Sequence, residues 1–409
     1  MSTSELLFNH KEFKLFIITR FALTTALQIQ AIIVGWHIYK ITNDPLSLGL
    51  IGLAEAIPAI SIALYAGHIA DISSKRKILI RSLVFLLFCS VGLTATSSDL
   101  FILGFDTNWS VNFMYIFIFL SGFARGFYTP AAFSFIIQLV GKEKLVTAST
   151  LNSSAWQIAA IFGPALGGLL YAWVGVTNTF MVVIVCIVVA LMCVYQIETK
   201  PILGVKNNET VLHRLRVGIN YVFQNKIILS AISLDLFAVL FGGAVALLPI
   251  FANEILKVGP QGLGVMRAAP ALGASITMLW LSLRKPLRKP GNVLLLCVAA
   301  FGLSMIGFAV SPYFLLSLFF LFCSGVFDSV SVVIRGNILQ TQTPDEMRGR
   351  VSAVNSMFIG SSNEIGAFES GVAAKLMGTI PSVIFGGCMT LLVVAITNWK
   401  SPQLKKFRY

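Results

Sequence analysis

The chain has 409 residues, of which 56% are hydrophobic and only 11% are charged, and its formal net charge at pH 7 is +13. A soluble domain carries about 25% charged residues, so a chain of this composition cannot cover a water-facing surface. Its apolar runs are long and continuous rather than alternating, which predicts membrane-spanning helices and not a β-barrel. The basic residues lie in short loops between these runs, without interleaved aromatic residues, so we expect no nucleic-acid partner.

Apolar segments of about 20 residues, the length needed to cross a bilayer, recur along the chain. Six of them precede a polar stretch and lie at residues 14–39, 46–70, 78–97, 111–140, 147–173 and 178–197. Six more follow it at residues 227–254, 261–283, 292–310, 313–341, 350–377 and 381–399. We predict an all-α integral membrane protein with twelve transmembrane helices in two pseudo-symmetric six-helix bundles. The bundles span residues 1–197 and 227–409, and a cytoplasmic linker spans 198–226.

Lysine and arginine residues indicate how the chain is oriented. An even number of spans places both ends on one side, which also carries the triplet Lys75-Arg76-Lys77 and most other basic residues near span ends. Near span ends, the opposite side carries Lys40, Lys257 and Lys375. Because cytoplasmic loops are enriched in basic residues, both termini are predicted to be cytoplasmic, in a bacterial-type inner membrane.

The two halves of the chain resemble each other. Shifts of 203 and 212 residues superpose Gly122 on Gly325, Gly163 on Gly366 and Pro58 on Pro270. Matches at shifts near half the chain length indicate a duplicated six-helix unit. Parallel repeats of six spans favour alternating access around a midplane site between the halves.

The linker contains an apolar stripe at helical spacing, formed by Leu212, Leu215, Ile219 and Phe223. Polar residues occupy its other faces, which predicts an amphipathic helix on the cytoplasmic leaflet. The alternative is a plain connection between the two halves.

Charged residues inside spans cost about 2.5–3.5 kcal/mol each on insertion scales, so each is a functional hypothesis. Four carboxylates are candidate proton-coupling residues: Asp328, Glu364, Asp235 and Glu55. Three arginines are candidates for holding an anionic substrate group or for tuning these carboxylates: Arg125, Arg335 and Arg267. The repeat aligns Glu55 with Arg267 and Arg125 with Asp328, so an alternative is that buried ion pairs only lock the halves in one state.

Two glycine-containing motifs are candidate gating elements. Gly67 permits close helix approach and Asp71 can cap a neighbouring helix N-terminus, at the end of span 2 just before Arg76. Gly163-Pro164-Ala165-Leu166-Gly167-Gly168 lies within span 5, where proline removes a backbone hydrogen bond and predicts a kink.

Cofactor motifs are missing from the sequence. The six cysteines fall inside apolar runs without metal-ligand spacing, and neither H-E-x-x-H nor G-x-x-x-x-G-K-[ST] occurs. We therefore expect no cofactor, no metal and no ATP-driven pump or other enzyme.

These motifs together resemble the major facilitator superfamily. Gly67-x-x-x-Asp71-x-x-x-Lys75-Arg76 is similar to its loop 2–3 signature, although Ile72 and Ser74 replace the usual arginine and glycine. The motif Gly163-Pro164-x-x-Gly167-Gly168 resembles the span-5 motif of antiporters, and Arg125 lies in the span where many exporters of the family carry an arginine.

More narrowly, residues 129–168 and 343–355 resemble the enterobactin-exporter-like branch. The resemblance implies a cavity lined by spans 1, 4, 7 and 10, and it places Asp71 near Arg348 at a cytoplasmic gate.

The leading hypothesis is a proton-coupled exporter of small organic molecules, either siderophore-like or lipophilic. Its expected partners are the substrate, protons and membrane lipid, and a monomer is expected. The alternatives are an importer, an uncoupled facilitator, a lipid translocase, or a receptor or scaffold that transports nothing. Ionisable groups inside the membrane argue against the last of these, because a scaffold does not need them.

Overall fold

The computed structural model describes residues 10–98, 107–141, 143–201, 211–283 and 289–407, and every regular element in these residues is helical. In chain order the helices are α1 Lys11–Thr42, α2 Pro45–Ile72, α3 Lys75–Thr96, α4 Thr107–Val140, α5 Leu145–Tyr195, α6 Val211–Gln224, α7 Lys226–Gly242, α8 Gly259–Ser282, α9 Pro290–Val310, α10 Phe314–Gln342, α11 Arg348–Met377, α12 Thr379–Lys400 and α13 Pro402–Lys406. Short helical turns are Ala244–Leu247, Leu248–Ile250, Phe251–Ile255 and Asp345–Met347. The predicted all-α architecture is confirmed.

Helix α5 holds two of the predicted spans. As one straight helix its 51 residues would extend about 76 Å, more than twice the hydrocarbon thickness of about 30 Å. At Gly175 the backbone leaves the helical region, with φ 78° and ψ 178°. The helix is therefore broken into residues 145–174 and 176–195, which match the predicted spans 147–173 and 178–197.

Helix α11 is the most polar of the spans. Ten helices in the described ranges are long and apolar enough to cross a bilayer, and this set counts α5 once and leaves out α11. The reason lies in the composition of α11, which carries Glu364, Glu369 and Lys375 within its 30 residues. With α11 and both parts of α5, the helices account for the twelve predicted spans.

The helices form two compact units. The first unit comprises residues Met1–Ile41 and Ala54–Asn208, and the second comprises Thr42–Leu53 and Glu209–Tyr409. The start of α2 therefore groups with the second unit and the remainder of α2 with the first. The domain limits at residues 197 and 226 stay predictions.

A contact between a glycine and a proline occurs in both units. On α4, a Cβ added to Gly122 would lie 2.5 Å from Cγ of Pro58 and 2.7 Å from the carbonyl oxygen of Glu55, both on α2. On α10, a Cβ added to Gly325 would overlap the carbonyl group of Pro270 on α8. Glycine permits this close backbone approach, and the residues in contact are those that the sequence repeat superposes.

A second duplicated contact uses the motif in α5. A Cβ on Gly163 would lie 2.7 Å from Cβ of Gln28, and one on Gly167 would lie 3.1 Å from Cα of Ile29, so these glycines bring α5 against α1. In the second unit, Gly366 brings α11 equally close to α7, with a Cβ position 2.8 Å from the carbonyl oxygen of Leu240.

The linker helix α6 packs into the second unit. Val222 is fully buried, and the Tyr221 hydroxyl donates a 2.9 Å hydrogen bond to the carbonyl oxygen of Gln342. Gly218 lies against the backbone of α11, where a Cβ would be 2.9 Å from the carbonyl oxygen of Arg350. Phe223, a member of the predicted apolar stripe, remains exposed, and the side chain of Leu212 lies outside what the structure describes.

The predicted continuous span 227–254 is interrupted. Asn225 caps the N-terminus of α7, and the α-helix ends at Gly242, before the non-helical Gly243. Short helical turns continue as far as Ile255. Two successive glycines weaken a helix and Pro249 cannot donate a backbone hydrogen bond, which together account for the interruption.

Candidate functional site

A cluster of three charged side chains lies where α7 meets α10 in the second unit. The carboxylate of Asp235 forms an ion pair with the guanidinium of Arg335, and both residues are more than nine-tenths buried. Asp328 lies close enough to both for electrostatic interaction. Two carboxylates therefore share one guanidinium, and one negative charge in this cluster is unmatched when all three groups are ionised.

A small cavity, with room for about one water molecule, adjoins this cluster. It is lined by Asp235, Asp328 and Ser331 together with the apolar residues Ala238, Val239, Val298, Phe301 and Phe327. The Ser331 hydroxyl is buried and has no hydrogen-bond partner within the described ranges. A hydroxyl and two carboxylates around this space provide the polar partners that a bound water needs.

A second charged pair in the second unit joins α8 and α11. Arg267 lies near Glu364 and is attracted to it electrostatically. Gly52, at the start of α2, allows close approach here, since a Cβ on it would lie 3.6 Å from Oε2 of Glu364. The carboxylate of Glu364 is therefore next to both a guanidinium and a backbone segment.

In the first unit, an ion pair joins α2 and α4. The guanidinium of Arg125 on α4 pairs with the carboxylate of Glu55 on α2. Their side chains are 37% and 27% exposed, so this pair is far less buried than Asp235 and Arg335.

The structure thus places a carboxylate beside each of the three predicted substrate-binding arginines. Arg125 has Glu55, Arg335 has Asp235, and Arg267 has Glu364. All four predicted proton-coupling residues belong to these groupings, with Asp328 as the additional carboxylate. Their predicted roles in coupling and substrate binding remain predictions, and the geometry shows which side chains each would act through.

The gating residues near the end of α2 include Gly67, Asp71 and Arg76. Around Gly67, no described atom lies within 4 Å of an added Cβ, and its gating role stays a prediction. The side chain of Asp71 lies outside what the structure describes. Arg76 on α3 caps the end of α5, where its Nη2 donates a 2.6 Å hydrogen bond to the carbonyl oxygen of Tyr195 and its guanidinium stacks on the Tyr195 ring. A cation at a helix C-terminus satisfies free carbonyls and complements the helix dipole.

The remaining gating residues lie on α5 and α11. Gly163, Pro164, Gly167 and Gly168 are all buried, and the backbone stays helical through Pro164. The break in α5 falls at Gly175 because this glycine adopts a positive φ that other residues avoid. Arg348 pairs with Asp345 at 2.9 Å within an exposed turn.

Comparison with known proteins identifies the family. The family model described as "Transmembrane secretion effector" matches residues 4–407. The chain belongs to this family. The chain is also similar to the enterobactin exporter EntS of Shigella boydii serotype 18, with 23% identity over 98% of this chain and 95% of that protein.

Solved structures share the fold of this transporter. A D-xylose-proton symporter has a TM-score of 0.74 at 13% identity, covering 97% of this chain and 99% of that chain. A bacterial homologue of the iron transporter ferroportin, in an inward-facing state, has the same TM-score, identity and coverage. The resemblance to the major facilitator superfamily and to its enterobactin-exporter-like branch is confirmed, and the protein is a multi-pass secondary transporter.

Arg20 is a candidate functional residue of the transporter that the sequence predictions did not include. It falls within the predicted span 14–39, and a charged residue inside a span is costly to insert, so Arg20 is a functional hypothesis in the same way as Arg125. Its proximity to Lys11 and Lys14 makes it resemble the basic flank of a span. The structure places it nine residues into α1, beside Tyr128 of α4.

Proposed function

We propose that this transporter is a proton-coupled exporter of small organic molecules, siderophore-like or lipophilic, that works by alternating access. The family description and the similarity to an enterobactin exporter support export and this substrate class. We place the protein in a bacterial inner membrane as a monomer, surrounded by lipid, with both termini cytoplasmic and without enzymatic activity.

The cluster of Asp235, Asp328 and Arg335 is the main observation that supports proton coupling. A low-dielectric interior disfavours an unmatched charge, and a proton on one carboxylate would neutralise the cluster. Because Arg335 already pairs with Asp235, Asp328 is the carboxylate that we expect to gain and lose the proton. The adjoining cavity, with the Ser331 hydroxyl, offers a route for the proton.

The other charged groups would couple this step to the change of state. Glu364 with Arg267 and Glu55 with Arg125 are further proton-responsive pairs, in which protonation would release the arginine. The glycine contacts of α5 on α1 would serve as a hinge, because small residues allow helices to slide closely past one another.

The test measures transport in inside-out membrane vesicles from cells that produce the full chain. Enterobactin is the first probe because a relative of this chain is an enterobactin exporter. Acidifying the vesicle interior should drive its accumulation, and collapsing the pH gradient should abolish it. Asp328→Asn should lose this accumulation while it retains exchange of labelled for unlabelled enterobactin. The matched control is Glu143→Gln, which alters an exposed carboxylate between α4 and α5.

Three outcomes would contradict the proposal. Uptake that only equilibrates enterobactin across the membrane, whatever the pH gradient, would indicate an uncoupled facilitator. Asp328→Asn vesicles that accumulate enterobactin like the wild type would show that this carboxylate does not carry the proton. Movement of labelled phospholipid between leaflets, without enterobactin transport, would indicate a lipid translocase.

A further inference from the structure

Arg20 carries a positive charge in α1 that the described structure leaves without an acidic partner. The ion pairs of the described residues involve other basic groups. The nearest carboxylate along α1, that of Glu12, pairs with Lys200 at 2.6 Å. Nε of Arg20 is buried and makes no hydrogen bond with any described group. Arg20 lies about 13 Å along the helix axis from Lys11, so its charge is far from the polar end of α1.

The neighbour of Arg20 is also a polar group whose hydrogen-bonding capacity is incompletely satisfied within the described ranges. Tyr128 on α4 is 3% exposed, and its hydroxyl lies close to the Arg20 guanidinium. This hydroxyl completes no hydrogen bond of good geometry within the described ranges. A buried donor without an acceptor costs about 1–3 kcal/mol, and the cost is larger for a charged group. Two such groups side by side need an acceptor that the described part of the protein does not supply.

The second unit shows how an arginine is satisfied between the corresponding helices. There, α7 and α10 are joined by the ion pair of Asp235 with Arg335. In the first unit, α1 and α4 bring the guanidinium of Arg20 against the phenol of Tyr128, and no carboxylate from the described residues joins them. The negative charge is the missing component.

The surroundings define the body of a ligand that would bring this charge. Phe16, one turn before Arg20, packs edge-to-face on Phe135 at 5.9 Å, and both rings are fully buried. Arg125, on the same face of α4 as Tyr128 and one turn away, is already neutralised by Glu55. The site therefore combines a cation that has no acidic partner among the described residues with a hydroxyl donor and an aromatic contact. This combination suits an anionic group on an apolar or aromatic body.

We propose that Arg20 and Tyr128 bind the anionic group, a carboxylate or phenolate, of a small aromatic or lipophilic substrate. The guanidinium supplies charge and directed donors, and the Tyr128 hydroxyl supplies a further donor. This assignment rests on the proposed transport function only in calling the bound molecule a substrate. Binding itself can be measured without transport, so the two proposals fail separately.

The experiment measures thermal unfolding of the purified full chain with three ligands at constant ionic strength. Benzoate, benzamide and benzylammonium share one ring and differ in charge. A ligand that binds the folded state raises the melting temperature, and the rise grows with the logarithm of the ligand concentration relative to its dissociation constant. We expect benzoate to stabilise the protein more than benzamide does, and benzylammonium to stabilise it least. Equal shifts with all three ligands would overturn the proposal.

Variants assign the binding to these residues. Arg20→Gln should weaken benzoate binding by about tenfold or more, which is the effect of removing a charged hydrogen bond. Arg20→Lys should retain part of the affinity, and Tyr128→Phe should lose about two- to tenfold, the effect of one neutral hydrogen bond. The control is Arg81→Gln, which removes an exposed arginine of α3. Benzoate affinity that is unchanged in Arg20→Gln, or that falls equally in the control, would refute the assignment. If Arg20→Gln fails to fold, Arg20→Lys and Tyr128→Phe decide the question.

Discussion

The contact of α1 with α4 and the contact of α7 with α10 join corresponding helices of the repeat, and each contains an arginine that is satisfied differently. In the second unit, Asp235 and Arg335 form a buried ion pair. In the first unit, Arg20 lies beside Tyr128, and no carboxylate from the described residues pairs with it. The charges of the second contact neutralise each other, whereas the charge of Arg20 in the first contact would be neutralised by a charged ligand.

The duplicated packing contacts do not differ in this way. Gly122 meets Pro58 in the first unit and Gly325 meets Pro270 in the second. The backbones of the packed helices approach so closely at the two glycines that any side chain larger than hydrogen would clash. Packing therefore strongly restricts which residue can occupy these positions. A charge, in contrast, can be exchanged for another group if its partner changes with it or if a ligand supplies the partner. The shape of the repeat is therefore kept, while its electrostatics have diverged.

The largest expected effect comes from breaking the closed contact. Arg335→Gln leaves Asp235 and Asp328 without their shared cation, so the free energy of unfolding should fall by about 3–5 kcal/mol. Adding Asp235→Asn should restore part of this loss, because one of the two buried carboxylates is then removed. Chemical unfolding of the purified variants measures both effects. Arg20→Gln, measured in parallel, should cost far less, since no internal ion pair is lost. Equal losses in Arg335→Gln and Arg20→Gln would remove the distinction between the two contacts.

A smaller effect should appear in both units when the shared packing is disturbed. Gly325→Ala and Gly122→Ala should each cost about 1–3 kcal/mol by overpacking. The first should cost more, because its new methyl group meets the backbone of Pro270, whereas Gly122 faces the ring edge of Pro58 as well as a backbone carbonyl. Thermal unfolding measures the difference. Gly67→Ala is the matched control, because the space around Gly67 is open within the described structure and its effect should stay within about 0.5 kcal/mol.

The smallest effect concerns the start of α2, which groups with the second unit. Burial by itself raises the pKa of Asp44. Hydrogen bonds from Lys375 and the Leu46 amide, together with the Lys375 charge, have a larger combined effect in the opposite direction, so the pKa ends below its ordinary value. The pair is therefore stabilising above the ordinary aspartate pKa of about 3.9, and this contribution disappears as the pH falls through the lowered value. Because both side chains are more than a third exposed, Lys375→Ala should cost at most about 1 kcal/mol at neutral pH.

Melting temperatures of wild type and Lys375→Ala, compared from neutral to acidic pH, test this expectation. The two proteins should converge on acidification. Lys400→Ala, which alters an exposed lysine at the end of α12, should show no such convergence. A difference between wild type and Lys375→Ala that persists or grows in acid would contradict the role of the pair.

Much of the helical architecture could be predicted from composition and apolar run length. The break between two spans in α5 was predicted within a few residues, although its cause, the positive φ of Gly175, is a property of the folded backbone. The interruption of α7 was not predicted. Gly242 and Gly243 do not interrupt the apolar run, so hydropathy predicts one continuous span through them. The end of the α-helix at Gly242 is seen only in the folded backbone.

The candidate site divides in the same way. Insertion cost pointed to Asp235, Asp328 and Arg335 individually, because charge inside an apolar run is visible in one dimension. The partners of these residues could not be predicted, because Asp235 and Arg335 lie 100 positions apart in the sequence. The repeat also misleads here, since it aligns Arg125 with Asp328, whereas the structure pairs Arg125 with Glu55. Arg20 follows Lys11 and Lys14, so in the sequence it resembles the basic flank of a span.

The sequence alone determined that this protein spans a membrane with about twelve helices arranged as a repeat, because these properties depend on the length, apolarity and periodicity of continuous segments. The tertiary structure decided which charges meet. Pairing depends on the rotation and depth of helices that are distant along the chain, and a shift of a single residue turns a side chain about 100° around the helix axis. For that reason, the ion pair of Asp235 with Arg335, and the contact of Arg20 with Tyr128, emerged only when the helices were packed together.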